Sequence, residues 1–133
     1  LRRFSLIIAL VVAFIGSGNA LAGATDAIET TLYFGLDLPG GGTVSEEQWA
    51  GFLADTVTPR FPDGFTVLGA YGQWRDSGPA DAPIIREETR VIIIVHPKTS
   101  AAEGAIDEIK SFYKTSFGQK SVFHTQVQVR LVE

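Results

Sequence analysis

The chain has 133 residues, 45% of them apolar, with 11 basic and 15 acidic side chains and a net charge of −4. It contains no cysteine, which excludes disulfides, thiolate nucleophiles, cysteine-ligated zinc and iron–sulfur clusters. It also lacks the basic stripe that nucleic acid requires, so no nucleic-acid partner is expected.

Arg2 and Arg3 precede an apolar run from Phe4 to Ile15, broken only by Ser5. Small and polar residues follow, then Ala20-Leu21-Ala22. A basic start, an apolar stretch and a small-residue cleavage site make the plan of a secretory signal peptide. The apolar stretch is well short of the roughly 20 residues of a membrane span. Cleavage after Ala22 leaves Gly23 to Glu133 as one domain, periplasmic or secreted and without a membrane span. All 15 acidic residues stay in that domain, against nine basic ones. The alternative reading is an uncleaved N-terminal anchor.

After a lead from Gly23 to Glu29, Leu32, Phe34 and Leu36 alternate with Tyr33, Gly35 and Asp37, the period of a strand. Pro39-Gly40-Gly41-Gly42 ends it. Ser45 and Gln48 form a capping box, with Val44 placed to staple onto Trp49. Trp49, Phe52, Leu53 and Val57 then make one apolar helical stripe. Pro59 stops that helix near Thr58, because it cannot donate and restricts its neighbour. Phe61 to Gly64 suits a type I turn. A strand follows from Phe65 to Trp74, then a turn-rich loop from Arg75 to Pro83. Arg90 to Pro97 reads as a third strand, apolar throughout Val91–Val95. Ser100 and Glu103 predict a second capping box. That helix buries Ala102, Ala105, Ile106, Ile109, Phe112, Tyr113 and Phe117, and Gly118 suits its end. In the last strand Phe123, Val127, Val129 and Leu131 alternate with His124, Gln126, Gln128 and Arg130.

The order β-α-β-β-α-β predicts an α+β, ferredoxin-like fold: a four-stranded antiparallel sheet, order 4-1-3-2, with two helices on one face. The other face has no cover. The third strand is apolar on both sides, and an uncovered apolar patch marks an interface or a pocket. A homodimer packed sheet on sheet is therefore expected. The alternative is a monomer whose long loop folds over the sheet.

The stretches "TLYFGL", "VSEEQWAGFLADTVTPRFPDGFTVLGAYGQWRD", "REETRVIIIVHP" and "YKTSFGQKSV" resemble the bacterial domain-of-unknown-function family numbered 3574. The likeness covers nearly all of Thr30 to Val132, and "TPRFPDG…GQWRD" is its most specific part. It implies a secreted bacterial protein and no particular activity. The family often carries a cysteine near the final strand. Here that stretch reads "VQVRLV", so a function resting on such a thiol does not carry over.

The expected facing directs Leu32/Phe34/Leu36, Leu68/Ala70/Trp74, Val91/Ile93/Val95 and Phe123/Val127/Val129 toward the helices. The open face then carries Tyr33, Asp37, Tyr71, Gln73, Arg75, Arg90, His124 and Gln126 as candidate ligand-binding residues. His124 has the chemistry of a general base or acid near neutral pH, or is an ordinary strand residue. Arg75 and Arg90 are anion clamps, or weak surface ion pairs with Asp76 and Glu88. Tyr71 and Trp74 either pack or stack on a ligand. His96 is expected at the end of the sheet opposite His124, so the two share no metal. No metal site and no cofactor are expected. "PGGG" lacks the ending of a phosphate loop, and no nucleophile elbow is present.

Three functions fit these residues. The first is a dimeric binding module for a small-molecule or protein ligand. The second is a small cofactor-free enzyme of isomerase or oxygenase type, with a pocket beside the sheet, an analogy from fold. The third is an envelope-interaction protein using an exposed edge strand.

Overall fold

A computed structural model describes residues 24–132. The predicted signal segment, residues 1–22, lies outside the described residues. The elements are β1 (Ala24–Gly35), α1 (Glu46–Phe52) running into a wider turn (Leu53–Val57), β2 (Thr66–Trp74), β3 (Ile85–His96), α2 (Ser100–Phe117) and β4 (Phe123–Val132). The sheet order is β2-β3-β1-β4 and every neighbouring pair is antiparallel. This is the expected α+β arrangement.

The local signals act as their chemistry requires. Gln48 N donates to Ser45 Oγ at 3.1 Å, and Ser45 N donates to the Gln48 side chain at 2.9 Å, closing the capping box. At the far end of α1 the helix widens, and Thr58 N donates to Leu53 O at 2.8 Å, five residues back. Gly64 N donates to Phe61 O at 3.2 Å, closing the Phe61–Gly64 turn. The second cap sits one residue earlier than expected. Thr99, not Ser100, accepts from Ala102 N at 3.2 Å, because Thr99 has the extended backbone that a cap needs and Ser100 is already helical. Gly118 ends α2 at φ 64°, a left-handed position that glycine adopts without a steric penalty.

Two strands are longer than the alternation implied. β1 begins at Ala24 rather than Thr30, because β4 pairs with it along its whole length, from Ala24 opposite Val132 to Tyr33 opposite Phe123. β3 begins at Ile85, opposite Trp74, rather than at Arg90.

The core lies between the sheet and the helices. Leu32, Phe34, Ile92 and Ile94 come from the sheet and Leu36 from just past β1; Trp49, Phe52, Ile106, Ile109 and Tyr113 come from the helices. Phe34 is central. Its ring meets Trp49, Phe52 and Tyr113 edge-on, at centroid distances of 5.4, 5.5 and 4.8 Å. Each such buried side chain contributes about 1.5–3 kcal/mol by leaving water.

The registers correct the expected facing of three strands. Directly paired residues share a face. Leu32, buried under the helices, pairs with Ile92 and His124, and Ile92 pairs with Val67. The helix side of the sheet therefore holds Val67, Ile92, Ile94, Arg90, His124 and Gln126. The open face holds Leu68, Ala70, Trp74, Val91, Ile93, Val95, Phe123, Val127 and Val129, the sets that were expected to face inward, and Leu131 beside them. On β3 both sides are apolar, so alternation does not distinguish them. On β4 the inversion is plain: His124 and Gln126 turn toward α2 and the apolar set turns to solvent.

Candidate functional site

Four apolar side chains form a straight row across the open face. Leu68 pairs with Val91, Val91 with Tyr33, and Tyr33 with Phe123. Leu68, Tyr33 and Phe123 are exposed, Phe123 by 65%. Exposed Val95, Val127 and Leu131 extend the surface toward one end of the sheet.

Toward the other end the surface dips. The next row on the open face, Ala70–Thr89–Gly35, has only small side chains. Beyond it stand Glu87, opposite Gly72, and Ile85, opposite Trp74. The result is a cleft of about 720 Å³ lined by Tyr33, Phe123, Trp74, Ile85, Glu87 and Asp37, among others. That volume lies within the range of small-molecule sites. Tyr33 and Phe123 form one wall, with ring centroids 5.4 Å apart and planes tilted by 50°. The Pro39 loop and the turn from Gly118 to Ser121 close another side.

Gly35 explains how a carboxylate enters this cleft. A Cβ there would overlap the Glu87 carboxyl group. Without one, Glu87 lies against the strand, and its Oε1 accepts from Asp37 N at 3.1 Å. On the core side Tyr113 Oη donates to Gly35 O at 2.6 Å. Burial, and then the Glu87 charge, raise the Tyr113 pKa, so its phenol stays protonated and keeps donating. Gln119 Nε2 donates to Asp37 O at 2.7 Å and fixes the neighbouring loop.

Of the eight candidates, the cleft takes only Tyr33 and Asp37. Tyr71 and Gln73 pair with Glu88 and Arg86 on the helix-side face of the β2–β3 hairpin and are exposed. Arg75 lies past the end of β2 and donates to Ala80 O at 3.5 Å. Arg90 turns to the helix side and pairs with Glu46 of α1 instead of Glu88. The Arg75–Pro83 loop reaches Trp74 and Ile85 at the tip of the sheet, where Pro79 and Ala82 help line a second hollow of about 530 Å³.

His124 and Gln126 belong to a different cluster, between β4 and one edge of α2. Lys110 Nζ donates to His124 Nδ1 at 3.2 Å and pairs with Asp107 at 2.9 Å. His124 Nε2 is buried with no hydrogen-bond partner among the described residues. Burial and the Lys110 charge lower the His124 pKa, so its ring stays neutral where an ordinary histidine begins to charge. The bond to Lys110 and the Lys110 charge lower the Asp107 pKa. Gln126 Nε2 donates to Thr30 Oγ1 at 3.0 Å and to Glu103 at 3.1 Å. Thr30 Oγ1 in turn lies 2.7 Å from His96 Nε2. His96 pairs with Ile28 and His124 with Leu32, so about 13 Å of strand separates them.

Sequence reasoning missed Glu87 and Phe123 as cleft residues; Trp74, weighed for stacking on a ligand, lines the cleft. The available signal was Gly35, a glycine inside a strand, which marks a close approach.

The family described as "Protein of unknown function (DUF3574)" matches residues 29–132. The chain belongs to the DUF3574 family. No curated protein matches it. Among solved structures, this DUF3574 chain is similar to a phage SAM lyase in complex with S-methyl-5'-thioadenosine, with a TM-score of 0.56 and 14% identity over 80% of this chain and 90% of that one. The apo state of the phage SAM lyase gives the same score and identity over 81% and 90%. At that identity the shared feature is the fold. Among the described residues of this DUF3574 protein, no helix is long and apolar enough to cross a membrane.

Proposed function

We propose that this DUF3574 protein is an exported, self-associating binding module. Two copies pack the open faces of their sheets together, and the cleft at the end of that face takes a ligand. One observation carries the reading: β4, an outer strand, turns its apolar set away from its own helices, and β2 exposes Leu68, Ala70 and Trp74 on the same face. A face that meets water is normally the polar one. On β4 the polar residues are spent on α2, so the apolar surface left outside calls for a partner. A second copy fits because a two-fold pair presents the same patch to itself, and apolar meets apolar without a charge mismatch.

The test is a charge placed in the row. Leu68→Lys leaves the core untouched, so the circular dichroism and melting temperature of the isolated chain stay close to wild type. Association falls by at least tenfold under this reading. An unchanged dimer affinity would remove the sheet face from the interface.

A second reading, a small enzyme using the same cleft, draws on the fold likeness to a lyase that holds a nucleoside-type ligand. Incubation with S-adenosylmethionine, followed by chromatography for S-methyl-5'-thioadenosine, tests it. Product that depends on Glu87 favours the enzyme; no product leaves the binding module.

A further inference from the structure

We propose that the cleft binds a small quaternary ammonium ion, with the positive group against Glu87 and its methyl groups against Tyr33 and Phe123. The inference rests on the binding-module reading and names the ligand class of its site.

Glu87 is the key group. Its carboxylate accepts one backbone hydrogen bond, from Asp37, and takes part in none of the ion pairs among the described residues. A carboxylate with one neutral donor keeps most of its acceptor capacity free. It stands in a cleft with one aromatic wall, made by Tyr33 and Phe123. Aromatic faces carry negative potential and attract a cation, and the attraction grows as water is excluded. Carboxylate and rings therefore favour the same charge sign. Asp37 adds a second negative side chain, while Lys120, on the turn after α2, supplies one opposing charge.

The apolar walls narrow the class. A primary ammonium is strongly hydrated and needs its N–H donors satisfied. A quaternary ammonium has no donor, presents a methyl surface and loses little on leaving water for aromatic walls. The floor of small residues, Ala70, Thr89 and Gly35, leaves depth for such a group, and Gly35 lets the carboxylate approach from below. An anion would meet Glu87 directly. A neutral ligand would leave the carboxylate without a counter-charge.

Isothermal titration calorimetry with choline tests the inference, using 3,3-dimethylbutan-1-ol, its uncharged isostere, as the control. Choline binds the wild-type protein, and the isostere binds at least about tenfold more weakly, having lost both the cation–π contacts and the charge pairing with Glu87. Glu87→Gln keeps the fold by circular dichroism and loses choline affinity by a similar factor. Equal binding of choline and its isostere overturns the proposal. So does a folded Glu87→Gln protein with unchanged affinity, or no choline heat at about 10 mM, beyond the weakest specific affinities. The same samples are weighed by light scattering. A dimer that ignores choline sinks the ligand class and leaves the assembly standing. A monomer that binds choline does the reverse.

Discussion

Tyr33 and Phe123 face each other across β1 and β4, ring centroids 5.4 Å apart, on the side of the sheet that neither α1 nor α2 covers. One position along, Phe34 lies wholly buried among Trp49, Phe52 and Tyr113. The chain thus commits neighbouring aromatic residues to two separate surfaces, one to the core and one to an interface.

These two surfaces respond differently to truncation. Phe34→Ala empties the centre of the core and costs about 3–5 kcal/mol, measured by urea unfolding. Phe123→Ala, made on a side chain that is 65% exposed, changes the stability of the single chain by no more than about 0.5 kcal/mol. Its effect appears in association instead, as a weaker dimer in a dilution series.

Gly35→Ala separates cleft from fold. The added methyl overlaps the Glu87 carboxyl group, which can swing away because it ends a flexible side chain. Unfolding stability therefore shifts by less than about 1 kcal/mol. Ligand binding in the cleft is lost, because the carboxylate leaves its place over the strand. Calorimetry on the folded variant reads this directly.

Tyr113→Phe removes the 2.6 Å bond to Gly35 O while keeping the ring in the core. The expected cost is about 0.5–1.5 kcal/mol, the net value of one hydrogen bond. The end of β1 should loosen with it, read as faster amide exchange near Gly35.

His124 predicts a pH dependence. Its pKa is lowered in the folded protein from the ordinary 6.5, by burial and by Lys110. Between those two values the unfolded chain binds more protons than the native one, so stability rises with pH. The His124 contribution is complete above pH 6.5 and is lost as pH falls toward the folded value. Urea midpoints measured from pH 8 to pH 5 should decline over this window in wild type and decline less in His124→Asn. The lowered Asp107 pKa acts separately, at more acidic pH: its contribution is present above the ordinary 3.8 and is lost as pH falls through the folded value.

The elements, their order and most of their caps were legible because they depend on local chemistry: the Ser45 box, the Pro59 stop, the Gly118 end. The facing of β1 was legible too, since Leu32, Phe34 and Leu36 are its strongest apolar set. The outer strands were not, because alternation reveals which residues share a face and not which face is inside. The rule that sends apolar residues inward assumes that the chain's own helices provide the only cover. On β4 the edge of α2 is polar, with Glu103, Asp107 and Lys110, and it takes His124 and Gln126. That placement moved His124 and Gln126 off the open face and brought Phe123 onto it, while Arg90 left it for Glu46 of α1. Glu87 was hidden for another reason: its role depends on Gly35, 52 residues earlier in the chain, which only the register brings alongside.

The most direct test of the sheet-to-sheet assembly is the molar mass of the purified protein by light scattering across a concentration series. A sheet-to-sheet pair weighs twice the single chain, and its mass falls toward one chain on dilution or on Leu68→Lys. A single-chain mass that persists at the highest concentration would contradict it.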